Sequence, residues 1–344
     1  MKIGLIGLKG AGKSTIFEAL TLNIANENTK AEDRIGTVEV PDERVDFLSK
    51  IYNPKKTIYA KIQYYLAGNS SLNENTNKEH KIWTNVKDCD ALIHVVRNFN
   101  LYGYEKPEPF KDFFSLNQDL IFYDFAVVEK RLERIELDKK RGKPISNEEV
   151  LLLHECFKHL EKGLALRKFS SLSDDKLLRG YTFVSGKPII VLFNNDDDDD
   201  NMPANKNDNF DEDAMLIRGK LENELAQMSK TEAEDFFTEF NITELAMTRV
   251  IKQSYTTLGL ISFFTVGEDE VRAWTIKKNT TAIDAAEVIH SDIKKGFIRA
   301  EVLAYKHFVE AGSYQEAKKR GTARLEGKTY IVEDGDIINF RFNI

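Results

Sequence analysis

The stretch GLKGAGKST, Gly7 to Thr15, constrains the fold of this chain more than any other. It fits G-x-x-x-x-G-K-[ST], with Gly7, Gly12, Lys13 and Ser14 at the fixed positions. MKIGLIG before it reads as a short buried strand, and STIFEALTL after it opens an apolar-periodic helix. Strand, glycine-rich turn and helix in that order predict an α/β domain built around a phosphate loop. Glycines let the backbone curl so that its N–H groups face phosphate oxygens. The following helix presents its positive end to the same anion. Gly10, Ala11, Gly12, Lys13, Ser14 and Thr15 are therefore the expected nucleotide contacts. Lys13 would reach the β- and γ-phosphates and is the expected catalytic residue, through charge stabilisation in the transition state. Ser14 would ligate Mg²⁺.

The chain has 344 residues, 42% of them hydrophobic and 31% charged, enough for two or three domains. A net charge of −7 excludes a molecule that binds polyanions over its whole surface, while leaving room for a local basic face. Two distant cysteines, Cys89 and Cys156, give neither a disulfide framework nor a zinc spacing. The N-terminus is apolar only briefly and does not read as a signal peptide, and no run of about 18 apolar residues occurs. The expectation is a cytoplasmic monomer with no membrane or DNA partner.

Further segments carry a resemblance. GTVEVPDERVDFLSKIYNPKK (Gly36–Lys56), DALIHVVRNF (Asp90–Phe99) and KPIIVLFNNDD (Lys187–Asp197) follow in order. Ile261–Phe308 and RLEGKTYIVEDGDIINFRFNI (Arg324–Ile344) complete the pattern. Over nearly its whole length the chain resembles the YchF or Obg-like ATPase family, a branch of the translation-factor GTPases. The resemblance implies a P-loop NTPase domain with an inserted helical hairpin, followed by a C-terminal β-grasp (TGS) domain. It also implies ATP preferred to GTP, slow hydrolysis and a ribosome or rRNA partner. The family reads its base with N-x-x-E in place of the guanine-reading N-K-x-D. Here the string is Asn194-Asn195-Asp196-Asp197, which makes Asn194 and Asp197 the expected base contacts. The absence of a lysine favours ATP, whereas the aspartate at 197 keeps GTP open. Asp198 to Asp200 are expected to be solvated.

Several positions depart from the family. Its D-x-A-G segment becomes Tyr65-Leu66-Ala67-Gly68, and a neutral phenol cannot hold Mg²⁺ from the second side as the aspartate does. The glycine-rich switch after it becomes NSSLNENTNKEHKIW. In the first switch, Thr29 lies one place from the metal-binding threonine and Lys30 fills that place; Thr29 is the second expected metal ligand. The loop after HVVRNF is shortened to NLYGYEKPEP, and a histidine discussed as catalytic in the family has no counterpart. Arg218-Gly219 replaces a small-residue turn that lines the base. Glu18, Asp33 and Asp42 are nearby carboxylates, with no spacing that makes one of them a base. A slow ATPase and a non-hydrolysing nucleotide binder with an RNA or ribosome contact both stand.

From about Phe125 to Arg167 the pattern is helical, broken at Lys143-Pro144 and resumed after Ser146, an expected N-cap with Glu149 three residues on. This hairpin is either a packed subdomain or an arm towards RNA. Strands are expected at GLISFFTVG, EVRAWTIKK and DIINFRFNI, a hairpin turn at EDGD, and core positions at Phe263, Phe264 and Trp274. Lys294, Lys295, Arg299, Lys318, Lys319 and Arg320 give this end basic potential. The expected domains are 1–124 with 181–260 (nucleotide-binding), 125–180 (hairpin) and 261–344 (TGS).

Overall fold

The computed structural model describes residues 1–23, 32–68, 83, 85–204, 210–228, 236–237 and 244–343. The strands are β1 (Lys2–Ile6), β2 (Arg34–Glu39), β3 (Lys56–Ile58), β4 (Lys61–Leu66), β5 (Ala91–Asn98), β6 (Ile189–Asn195), β7 (Ala214–Ile217), β8 (Leu260–Val266), β9 (Glu270–Lys277), β10 (Phe297–Ala304), β11 (Arg324–Glu326) and β12 (Asp336–Phe342). The longer helices are α1 (Lys13–Thr21), α2 (Glu43–Tyr52), α3 (Pro109–Lys140), α4 (Asn147–Glu161), α5 (Gly219–Leu225), α6 (Ala246–Thr257) and α7 (Ala282–Ile289). The chain forms two compact units, Met1–Thr37 with Gln63–Val250, and Val38–Ile62 with Ile251–Ile344.

The first unit is built on a sheet of order β2-β4-β1-β5-β6-β7. Strands β4, β1, β5, β6 and β7 pair in parallel. Strands β5 and β6 are buried along almost their whole length. That is why ALIHVVRN and IIVLFNN read as near-continuous apolar runs rather than alternating ones. The ends of β1 and β6 meet at the phosphate loop, the place where open α/β sheets bind ligands.

Helix α3 starts at Pro109, well before the expected 125 or so, with proline in its first turn. Phe113, Leu116 and Leu120 from this early half are buried in the clusters that cover the sheet. Phe110, Phe113 and Phe114 are poor helix formers, and their local run blurs the helical period. The later half packs on α4: Ile121, Val128 and Ile135 recur at seven-residue steps and meet Leu153, Cys156 and Leu160. Asp124, at the changeover, is buried and accepts the N–H groups of Val184 (3.0 Å) and Ser185 (2.7 Å).

Helix α4 begins as expected, with Ser146 Oγ accepting the Glu149 N–H at 3.3 Å. Substituting Ser146→Ala leaves that donor uncapped and should cost about 1 kcal/mol. Urea unfolding measures the loss; hydrogen exchange should localise it to the first turn of α4.

The second unit has a mixed sheet of order β11-β10-β12-β8-β9-β3. Helix α7 lays Ala282, Ala285 and Ala286 on Phe263, Ile276, Ala300 and Phe340, a β-grasp arrangement of one helix across a sheet. The small alanines let the helix approach closely. Phe263 and Phe264 are core residues, as expected, and Trp274 is partly buried beside Phe263. Residues 38–62 belong here rather than with the first unit, because β3 extends the sheet as the parallel neighbour of β9, Lys56 opposite Glu270 and Ile58 opposite Arg272. Glu333–Asp336 does form a turn, with Asp336 N–H donating to Glu333 O at 3.2 Å. It is not a hairpin: it leads into β12, whose partners are β10 and β8. Most of the expected basic residues lie beside carboxylates: Lys294 with Asp284 and Glu287, Lys295 with Asp292, Lys318 with Glu301, Lys319 and Arg320 with Glu316. Their charge is offset locally.

Candidate nucleotide site

The phosphate loop joins β1 to α1 in the first unit. Two of its glycines are required by contact. A Cβ on Gly7 would stand 2.3 Å from the Val95 carbonyl oxygen, and one on Gly12 would stand 2.3 Å from Asn194 Nδ2. Gly12 also has φ 92°, a left-handed conformation that strains any L side chain. It is the N-cap of α1, no side chain caps the helix, and no acidic residue occupies the first turn. The first-turn amides of a nine-residue helix thus have neither a side-chain cap nor a first-turn carboxylate among the described residues. These features fit a phosphate group.

Lys13 folds back over the loop, its Nζ donating to Gly7 O (2.8 Å) and Leu8 O (2.9 Å). Burial pushes its ammonium down to about 8. The fold disfavours the charged form, whereas a bound triphosphate favours it. A triphosphate bound at Lys13 would therefore draw a proton onto it once the pH passes about 8. ATP affinity should fall by up to about tenfold per pH unit above that value. The check is a titration series across this range. The Lys13→Arg variant, whose guanidinium stays charged, should give a flat profile.

Asn194, buried at the end of β6, is the brace of the site. Its Nδ2 donates to Ala11 O (3.0 Å) and its Oδ1 accepts the Gly219 N–H (2.9 Å). One amide thus ties the phosphate loop to the start of α5. Gly219 is a contact glycine too: its Cβ would lie 2.8 Å from Asn194 Oδ1 and 2.9 Å from Ile16 Cδ1. Asp197 is half-buried. Its Oδ1 accepts the Leu221 N–H at 3.0 Å, and its Oδ2 lies 3.4 Å from Lys220 Nζ. Asp198 and Asp200 are exposed, whereas Asp199 shapes the turn by accepting the Asn201 N–H at 3.1 Å.

Residues missed by the sequence reading surround this frame. Arg97, at the end of β5, donates to Phe99 O (3.2 Å) and Glu105 O (3.0 Å), pinning the short loop between them. That loop sets Leu101 and the Tyr104 ring against Gly10. Asn195 holds the acidic turn through Asp199 O (3.1 Å) and Asn201 O (2.8 Å). An arginine and an asparagine at strand ends were the available signals.

Ser14 is exposed in the first turn of α1, and Thr15 is half-buried beside it. Thr29 lies outside the described residues. Tyr65 is buried, and burial together with its bond to Asp33 pushes its phenol well above the ordinary tyrosine value, so it is neutral. Its hydroxyl donates to Asp33 Oδ2 at 2.7 Å, and the Gly68 N–H donates to Asp33 Oδ1 at 2.9 Å. Of the other candidate carboxylates, Glu18 pairs with Arg34 at 2.9 Å, and Asp42 is the N-cap of α2 in the second unit.

Comparison with known proteins decides the family. A ribosome-binding ATPase YchF from Bacillus subtilis is 35% identical over 364 aligned residues, covering 99% of both chains. The chain belongs to the YchF family. A second YchF, from Buchnera aphidicola subsp. Schizaphis graminum, is 36% identical and covers all of this chain and 99% of its own. The YchF C-terminal family model, described as a protein of unknown function (DUF933), matches residues 260–343. The Schizosaccharomyces pombe YchF GTPase structure superposes with a TM-score of 0.82 at 27% identity, over 99% of this chain and 97% of that one. Within the YchF fold, the braced phosphate loop is this chain's nucleotide-site candidate. Among the described residues no helix is long and apolar enough to cross a membrane.

Proposed function

We propose that this chain is a ribosome-associated ATP-binding protein that hydrolyses its nucleotide slowly. The observation that carries the reading is the braced phosphate loop: contact glycines, an uncapped helix start and Lys13 converging on one place. In this reading Gly10–Thr15 cradle the phosphates through backbone N–H groups. Lys13 leaves the carbonyls of Gly7 and Leu8 for the β- and γ-phosphate oxygens, and its charge is what stabilises the transferring phosphoryl group. Ser14 would hold Mg²⁺, which would neutralise charge on the same phosphates. Asn194 keeps loop and base turn in register. ATP is favoured over GTP, because no lysine stands between Asn194 and Asp197 and the Asp197 carboxylate is already held by Leu221 and Lys220. The names of the relatives support the ribosome and the ATP. The C-terminal β-grasp is a TGS domain in this reading, and the protein is cytoplasmic.

A second reading, a nucleotide binder that does not hydrolyse, is favoured by one observation: position 65 carries a buried neutral phenol. Single-turnover hydrolysis with protein in excess over labelled ATP separates the two. Slow product formation that Lys13→Ala abolishes supports the ATPase, and retained ATP without product supports the binder. A parallel GTP series tests the base preference, and co-sedimentation with ribosomes tests the association.

A further inference from the structure

We propose that Asp33, held in place by Tyr65, supplies the acidic group on the metal side of the triphosphate that position 65 no longer carries. The inference rests on the nucleotide-binding reading above and adds a residue to it. Tyr65 sits near the end of β4, opposite Gly4 of β1, the strand that runs into the phosphate loop. A carboxylate at this position would stand on the second side of a metal held by Ser14. The phenol cannot replace it, since it is neutral and lies in an apolar cluster with Ile6, Val86 and Leu92. Yet the hydroxyl is not idle. It delivers its hydrogen bond to Asp33 Oδ2 (2.7 Å), while the backbone N–H of Gly68, three residues on, takes Oδ1 (2.9 Å).

Tyr65 of β4 and Gly68, two residues past its end, therefore fix the carboxylate of the residue just before β2. The acidic group has moved from β4 to the segment that leads into the neighbouring strand β2, with the tyrosine as its holder. Each Asp33 oxygen accepts one neutral donor and retains acceptor capacity for a cation or its bound water. No lysine or arginine among the described residues pairs with Asp33, so its charge is not consumed by an ion pair. Glu18 lacks that freedom, being bound to Arg34 at 2.9 Å. Tyr65 is a positioning residue here; Asp33 is the group that faces the metal side.

The test measures ATP affinity of the full chain, by displacement of a fluorescent ATP analogue, in excess EDTA and in excess Mg²⁺. The ratio of the two affinities reads the metal contribution alone. In the wild type Mg²⁺ should tighten binding by about tenfold or more. Asp33→Asn should leave the EDTA affinity in place and reduce the ratio to roughly threefold or less. Tyr65→Phe, which keeps the ring packing and loses only the hydroxyl, should give an intermediate ratio. Asp33→Glu should recover part of it. Melting curves of each variant show whether it is folded. If Asp33 merely staples two strands, both variants melt earlier while the Mg²⁺ ratio stays at the wild-type value, and the proposal falls. A wild type that binds ATP equally well with and without Mg²⁺ also overturns it, leaving nucleotide binding intact. A wild type that binds no ATP in either buffer overturns the nucleotide reading and this inference with it.

Discussion

Lys13→Ala should weaken ATP binding by about a hundredfold while leaving the melting temperature nearly unchanged. In the proposed reading the ammonium would make charge-assisted bonds to phosphate, each worth roughly 1.5–3 kcal/mol, and about 1.4 kcal/mol corresponds to tenfold in affinity. Its loss would remove the cation that this reading places on the phosphates. Folding is another matter. The side chain is largely buried, and that burial alone lowers its pKa to about 8, so the fold gains little from the charge. Its two hydrogen bonds end on the carbonyls of Gly7 and Leu8, both half-buried residues that solvent can reach. Titration with ATP and a melting curve on the same sample give both numbers. A variant that binds normally would remove Lys13 from the site.

Asn194→Ala should damage both properties at once. The amide makes two bonds to backbone groups from separate parts of the chain, Ala11 O and the Gly219 N–H, in a buried setting. Alanine leaves both groups without that partner. At about 1–3 kcal/mol for each buried group left unsatisfied, the expected loss of stability is roughly 2–6 kcal/mol. The phosphate loop also loses its register against α5, so ATP affinity should fall in parallel, by about tenfold or more. Asn194→Asp keeps the acceptor for Gly219 and loses the donor to Ala11, so it should fall between. Urea unfolding with and without ATP checks the series. A stable variant with weakened binding would mean that Asn194 serves the base rather than the frame.

The contrast between Lys13 and Asn194 shows what the sequence made legible. The phosphate loop is local: eight residues specify its turn, its cation and its hydroxyl, and the flanking strand and helix confirm it by their periods. The parallel strands β5 and β6 were legible for the same reason, as apolar runs. The sequence motif makes Asn194 an expected base contact, but its bond to Ala11 spans 183 positions. Only the pairing of β1, β5 and β6 brings such partners together, and no local pattern encodes it. Residues 38–62 show the same limit. Lys56–Ile58 is three residues long, too short for a periodic signal, and it becomes a strand because β9 offers an edge. The early half of α3 was obscured by its phenylalanines, whose burial against the sheet outweighs their modest helix propensity. Tyr65 reads from sequence as a departure from the family's aspartate. That it hands a hydrogen bond to Asp33 depends on the pairing of β2 with β4, which brings the residue before β2 to Tyr65, and position in sequence says nothing of it.

The measurement that bears most directly on the central claim is equilibrium titration of the full chain with a fluorescent ATP analogue, alongside Gly12→Val. A valine there would need a left-handed backbone that β-branched residues avoid, and its Cβ would occupy the space of Asn194 Nδ2. The account predicts saturable binding of one nucleotide per chain in the wild type, displaced by unlabelled ATP and absent from the variant. Undiminished binding by a folded Gly12→Val, or no displaceable binding by the wild type, would contradict it.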